Sequence, residues 1–260
     1  MTDSDAYPSS ILVDVELPAP TPLPAELVAV LASLRVVLVG WYPVPEQTTP
    51  AQARDQFEDE AQAALDAVAR RFEAAGAEAV TSRLVFTGDK FDTFTRISSE
   101  EGCDAVLIPG PIDHLRRLLV PIRGLHNARH IIPFIADLVE GSGGTTDVTL
   151  LHVLEEGEAE AGAQEDILGP VVEQLAAYGV DTELVERRVV ATDDPADTIV
   201  DEAGHYDLVV LGETQPSVRS ILFGTIPEQI VRAVDVPVVV VRHEEEEVGV
   251  AERATRLDEA

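Results

Sequence analysis

The sequence predicts an α/β protein of two tandem doubly wound parallel-sheet domains, at about 10–112 and 115–243, followed by an acidic tail at 244–260. Three observations predict it. Short unbroken apolar runs alternate with segments of helical period, and strands apolar along their whole length belong in parallel sheets covered by helices on both faces. The order of elements then repeats. Arg35 to Gly40 corresponds to Val148 to Val153, Glu78–Gly88 to Asp181–Thr192, and Asp104–Gly110 to Asp207–Glu213. This repeat is far longer than the ~20–50 residues of a solenoid unit, so it reads as a domain duplication. The two copies are also unequal. Only Pro111-Ile-Asp-His-Leu-Arg-Arg117 separates the first copy from the opening strand of the second, too little for a loop, a helix and a closing strand. The first copy is therefore truncated, or borrows an equivalent from elsewhere.

Along the first copy, Ile11 to Leu17 is a short strand, and Pro18, Pro20, Pro22 and Pro24 interrupt regular structure. Ala25 to Leu34 is a short helix and Arg35 to Gly40 a buried strand that leaves through Trp41 to Pro45. Thr48-Thr-Pro50 starts a helix with proline in its first turn. Phe57, Ala61, Ala64, Leu65, Val68 and Phe72 keep helical spacing until Gly76 ends it. Ala79 to Phe86 is a strand, Phe91 to Glu101 a helix, and Cys103 to Pro109 a strand.

In the second copy, Leu118 to Ile122 is a strand, Asn127 to Val139 a helix, and Gly141 to Gly144 a turn. Asp147 to Val153 is a strand. A polar insertion, Glu155 to Glu165, precedes a helix ending near Tyr178-Gly179. Thr182 to Val190 is a strand, and Asp193-Asp-Pro195 opens a helix running to Gly204. The apolar run Leu208 to Leu211 ends at Gly212, a polar turn leads to Gly224-Thr225 and a helix carrying Glu228, and Asp235 to Val241 is a second run of β-branched residues. A strand, a glycine-bearing loop and a helix start in that order can turn backbone N–H groups toward an anion.

Composition narrows the function. Hydrophobic residues make up 45% of the chain, enough for a sizeable core. No run reaches the roughly 18 apolar residues of a membrane span. The acidic start Met1-Thr-Asp-Ser-Asp lacks the basic opening of a signal peptide, and the single Cys103 excludes a disulfide framework. A cytoplasmic protein is expected. Forty-eight acids face 18 bases for a net charge of −30, and Lys90 is the only lysine. No basic stripe exists to displace counterions, so nucleic-acid binding is not expected.

The histidines and glycines carry no familiar chemistry by themselves. His126 and His130 share a helix face, but no third metal ligand follows. His152 lies in a strand and reads as half-buried. GxSxG and GxxxxGK(S/T) are both absent, and the 141–144 glycines follow a helix rather than a strand. Asp14, near the end of the first strand, reads either as a relic of a nucleoside-side acid or as simply polar. No catalytic or metal-ligating set stands out.

Several fragments, in order and spacing, resemble the universal stress protein family. They are Leu118-Leu-Val-Pro-Ile122, Asp147-Val-Thr-Leu-Leu-His-Val153, Asp194-Pro-Ala-Asp-Thr-Ile-Val200, Asp207-Leu-Val-Val-Leu-Gly212 and Phe223-Gly-Thr-Ile-Pro-Glu-Gln-Ile-Val231 with Val236-Pro-Val-Val-Val-Val241. The resemblance covers about 118–242 well and 11–110 more weakly. It implies the doubly wound fold also called adenine nucleotide α-hydrolase-like. It also implies a non-catalytic regulatory function, with ATP or AMP as a cofactor in the second domain. The nucleotide-binding positions so implied are Ile122 and Arg123 after the first strand, Val153, and Leu211 with Gly212. In the loop and helix start they are Gln215, Arg219, Gly224, Thr225 and Ile226. Two of these depart from the pattern of the ATP-binding members. Gln215 stands in place of the second glycine, with one residue fewer before Gly224, and Arg123 stands where an Asp is expected. A nucleotide-independent regulatory or partner-binding module, like those attached to transporters, therefore stays open. In this family the last strand commonly pairs with its counterpart in a dimer. With no such strand in the first copy, internal pairing through that edge looks unavailable, and a homodimer through the C-terminal domains is expected.

The acids are spread along the whole chain, which is the pattern of a surface hydrated in molar salt, where the Debye length falls to about 3 Å. A halophilic protein is expected to lose structure as KCl is withdrawn, followed by circular dichroism; full structure without added salt would refute this reading.

Overall fold

A computed structural model describes residues 8–45, 47–154, 157–213 and 225–242. The first half contains β1 (Ser10–Glu16), α1 (Ala25–Leu31), β2 (Arg35–Pro43), α2 (Pro50–Ala74), β3 (Val80–Thr87), α3 (Lys90–Glu100) and β4 (Ala105–Ile108). The second contains β5 (Arg117–Pro121), α4 (Leu125–Gly141), β6 (Asp147–Leu154), α5 (Glu160–Gly162), α6 (Gly169–Ala177), β7 (Val185–Ala191), α7 (Pro195–Ala203), β8 (Leu208–Gly212), α8 (Thr225–Ala233) and β9 (Val238–Val241).

Local chemistry sets most of these boundaries. Thr49 and Gln52 form a reciprocal capping box at the start of α2, with Pro50 in its first turn. Asp194 caps α7 by accepting from the Asp197 N–H at 3.1 Å. The strand expected from Thr182 begins only at Val185, because Asp181 accepts from the Glu183 N–H and winds Thr182–Leu184 into a 3-10 turn. The 155–165 insertion becomes helical from Glu160, with α5 running through a π-helical stretch, Ala163–Leu168, into α6.

The nine strands of the described residues lie in one mixed sheet of order β3-β2-β1-β4-β9-β8-β5-β6-β7. The four first-half strands are mutually parallel, as are β5 to β9. The two sets meet where β9, parallel to β8, runs antiparallel to β4 with Ala105 opposite Val241 and Ile108 opposite Val238. This overturns the expectation that β9 leaves a free edge for a second copy. The truncated first half leaves β4 with an unpaired edge of its own, and an all-valine strand buried on both faces satisfies both neighbours at once. A dimer through the β9 edge is thereby ruled out, since that edge is already hydrogen-bonded. Arg242 reinforces the junction. Its N–H donates to the Asp104 carbonyl, and its guanidinium donates to the carbonyls of Ser98 and Cys103 and to Ser99 Oγ.

Helices cover both faces along the whole sheet. One layer, with α1, α2, α4 and α6, packs on Ile11, Val13, Leu38, Leu118, Leu150 and Val239. The other, with α3, α7 and α8, packs on Leu12, Val39, Val106, Val209, Leu211 and Val240. Each layer is one apolar cluster spanning both halves. At the junction Gly110 runs against the 235–237 bend so closely that a Cβ there would lie 2.6 Å from the Val236 carbonyl carbon and 2.7 Å from the Asp235 oxygen. Gly110→Ala is expected to destabilise the protein by about 1–3 kcal/mol, because backbone rather than a flexible side chain must move. Denaturant unfolding at high KCl measures it, and an unchanged midpoint would show that the contact yields freely.

Candidate ligand crevices at the two switch points

In open α/β sheets ligands bind beyond the carboxyl ends of strands where the winding order reverses. This sheet has two such points, between β1 and β4 and between β5 and β8. Because β4 and β9 are antiparallel, the two crevices open at opposite ends of the sheet.

In the second half the structure brings together part of the sequence-predicted set. Ile122 follows β5, is buried, and donates its N–H to the Leu151 carbonyl at 2.8 Å. Leu211 and Gly212 end β8, with Leu211 buried and Gly212 paired with Val241. Val153 lies half-buried near the end of β6, and Arg123 is exposed. Thr225 and Ile226 open α8. Gln215, Arg219 and Gly224 lie outside the described residues, as does the acidic tail. His152, expected to be half-buried, is 1% exposed. It sits in β6 on the same face as Leu150, with Nδ1 2.8 Å from the Ile122 carbonyl oxygen and Nε2 3.0 Å from Glu158 Oε2. The sequence carried no signal for that pairing, since Glu158 lies in the insertion beyond the strand. His126 is exposed and His130 half-buried on α4, and among the described residues no three metal-type ligands cluster.

Near the carboxyl end of β1 the first half carries a buried ion pair. Asp14 is 5% exposed and its Oδ2 lies 2.5 Å from Nζ of Lys90, which opens α3. The ammonium stands 5.2 Å from the Trp41 ring centroid and within 6 Å of Phe94 and Phe91. Asp14 is thus neither a ligand-facing acid nor a plain polar residue, but half of a buried ion pair. Burial raises its pKa above 3.8, while the Lys90 charge and hydrogen bond and the nearby Trp41 indole act to lower it. The indole is close enough to matter, yet neither Asp14 Oδ1 nor Trp41 Nε1 completes a hydrogen bond of good geometry. Cys103, buried at the foot of β4, has its thiol pushed up to about 11 by desolvation, which removes thiolate chemistry near neutral pH.

The sheet order and the two opposed crevices define a doubly wound α/β protein built from two mirrored sets of strands. Residues 114–242 match the model of the Universal stress protein family, and by that match the second half of the chain is a domain of that family. Among solved structures, a universal stress protein from Archaeoglobus fulgidus DSM 4304 is similar over 93% of this chain and 98% of its own, at 18% identity and a TM-score of 0.60. A functionally unknown protein from Pseudomonas aeruginosa PAO1 is similar over 90% of this chain and 92% of its own, at 17% identity and a TM-score of 0.50. A universal stress protein from Archaeoglobus fulgidus, solved in complex with dAMP, aligns with 49% of this chain and 98% of its own, at 18% identity and a TM-score of 0.38. No curated protein matches. The first two likenesses show a shared fold. Among the described residues no helix is long and apolar enough to cross a membrane.

Removing Lys90 while keeping Asp14 leaves a carboxylate buried without its partner. Lys90→Met is expected to cost roughly 3–5 kcal/mol near neutral pH. Without Lys90 the folded-state pKa of Asp14 rises further above its unfolded value. The deficit is therefore full above that folded pKa, and shrinks as pH falls through it and protonation removes the buried charge. The double variant Asp14→Leu/Lys90→Met should regain most of the loss at all pH values. Unfolding midpoints across pH 4–8 (a window chosen from the raised Asp14 pKa) decide this, and equal stability of Lys90→Met and the parent would refute the ion pair.

Proposed function

We propose that this protein is a non-catalytic, cytoplasmic regulatory member of the universal stress protein family, that its first half is a degenerate copy of its second, and that an adenine nucleotide, ATP or AMP, binds in the second-half crevice. The observation that carries the reading is the contrast between the two switch points. Beyond β5 and β8 the strands end in Ile122, Leu211 and Gly212, and α8 begins at Thr225, whereas the equivalent place in the first half carries Lys90, Asp14 and Trp41. A nucleotide would have its phosphates at the 212–225 loop, where Gly212 and Gly224 allow close backbone approach and Arg219 and Thr225 supply donors. One nucleotide per chain follows.

A second reading has its own observation. Arg123 replaces the expected acid at the end of β5 and is exposed, and Gln215 replaces a glycine. Both fit a regulatory module that has given up nucleotide and works by protein contact alone.

Calorimetric titration of ATP and AMP at about 2 M KCl, where the surface charge is screened, separates the two. The nucleotide reading expects saturable binding of one molecule per chain, abolished by Gly224→Leu. Absence of binding by folded protein would leave the partner-binding module. Phosphate release above the uncatalysed rate, lost in an Arg219 or Thr225 variant, would overturn the non-catalytic assignment.

A further inference from the structure

His152 is the one buried histidine among the described residues, and each of its ring nitrogens faces an oxygen. The Ile122 carbonyl, 2.8 Å away, can only accept, so Nδ1 must carry a proton. A neutral ring then has no second N–H, and an ionised carboxylate has none to give. Yet Nε2 lies 3.0 Å from Glu158 Oε2. Two lone pairs at that distance repel at a contact that is only partly open to water, so the contact requires one proton beyond a neutral imidazole and a carboxylate. Imidazole is the stronger base of these two side-chain types, so the proton belongs on Nε2 and the hydrogen bond is charge-assisted.

We propose that His152 is an imidazolium clasp: it fastens Glu158 and the start of the 157–162 connection against the carboxyl end of β5, and thereby positions Ile122 in the second-half crevice. The proposal rests on the reading of that crevice as the nucleotide site. The backbone supports it, because the chain leaves β6 and reverses at Gly157, whose φ of +83° lies in the left-handed region. That reversal brings Glu158 back over the strand it has just left. His152 touches no ligand in this scheme and acts through Ile122, so it is a positioning residue.

The ring itself supplies a readout that a merely structural role would not move. In the full chain at neutral pH and high KCl, ¹⁵N-detected imidazole resonances of His152 should show both nitrogens protonated. Glu158→Ala should abolish the Nε2–H signal and weaken AMP binding by about tenfold. In Glu158→Gln the side-chain amide donates to a neutral Nε2. The ring should then become singly protonated while AMP affinity stays within about threefold of the parent. A neutral ring in the parent protein, or AMP binding by Glu158→Ala equal to the parent, would overturn the clasp. Failure of the parent to bind AMP would overturn the nucleotide reading and the positioning role with it, while the ring resonances still decide whether the clasp exists.

Discussion

The whole molecule depends on the two hydrogen-bonded edges of one four-residue strand. β9 completes the second half in parallel with β8 and closes the first half by running antiparallel to β4. Either half alone would expose an apolar, unpaired strand edge to water, an arrangement that invites pairing with other chains. Sharing the strand removes both edges and makes the helix layers continuous, so that Leu12 and Leu211 belong to one apolar cluster and Ile11 and Leu150 to the other. The stability of the halves is correspondingly inseparable: what anchors β9 anchors both.

Sharing the strand also fixes where chemistry can occur. An antiparallel junction points the two parallel sets in opposite directions, so their switch points cannot merge into one large cleft. Each must be self-sufficient. The first holds the sole lysine paired with a buried aspartate, while the second ends in small and aliphatic residues next to a helix start. The energetics of the first are those of a buried ion pair, weakly stabilising when intact and costly when broken.

Much of this was legible in the sequence because it is local. Runs such as Val36 to Val39 and Val238 to Val241 can only be strands covered on both faces, and Thr49-Pro50 and Asp194-Pro195 announce helix starts through capping chemistry. The correspondence of Arg35–Gly40 with Val148–Val153 placed β2 and β6 in equivalent sheet positions. What sequence could not supply was pairing at a distance. The truncation after Gly110 was plain, but nothing in Val236–Val241 says that its free edge is taken by residues 105–108 rather than by another molecule. Asp14 and Lys90 are far apart in the chain and unremarkable singly; only the fold brings the carboxylate under the ammonium. His152 looked half-buried because alternation along β6 gives its face but not the Glu158 that returns over it.

The shared strand lies at the far end of the chain from the half it closes. On the ribosome, β1 to β4 can assemble as soon as they emerge, yet the edge of β4 stays open until residues 238–241 follow, after β5 to β8 have all been made. The first half therefore waits through the synthesis of β5 to β8 as an incomplete sheet with an unprotected margin, the kind of species most prone to misassembly. Folding of these two sets of strands is in that sense a single event licensed by β9.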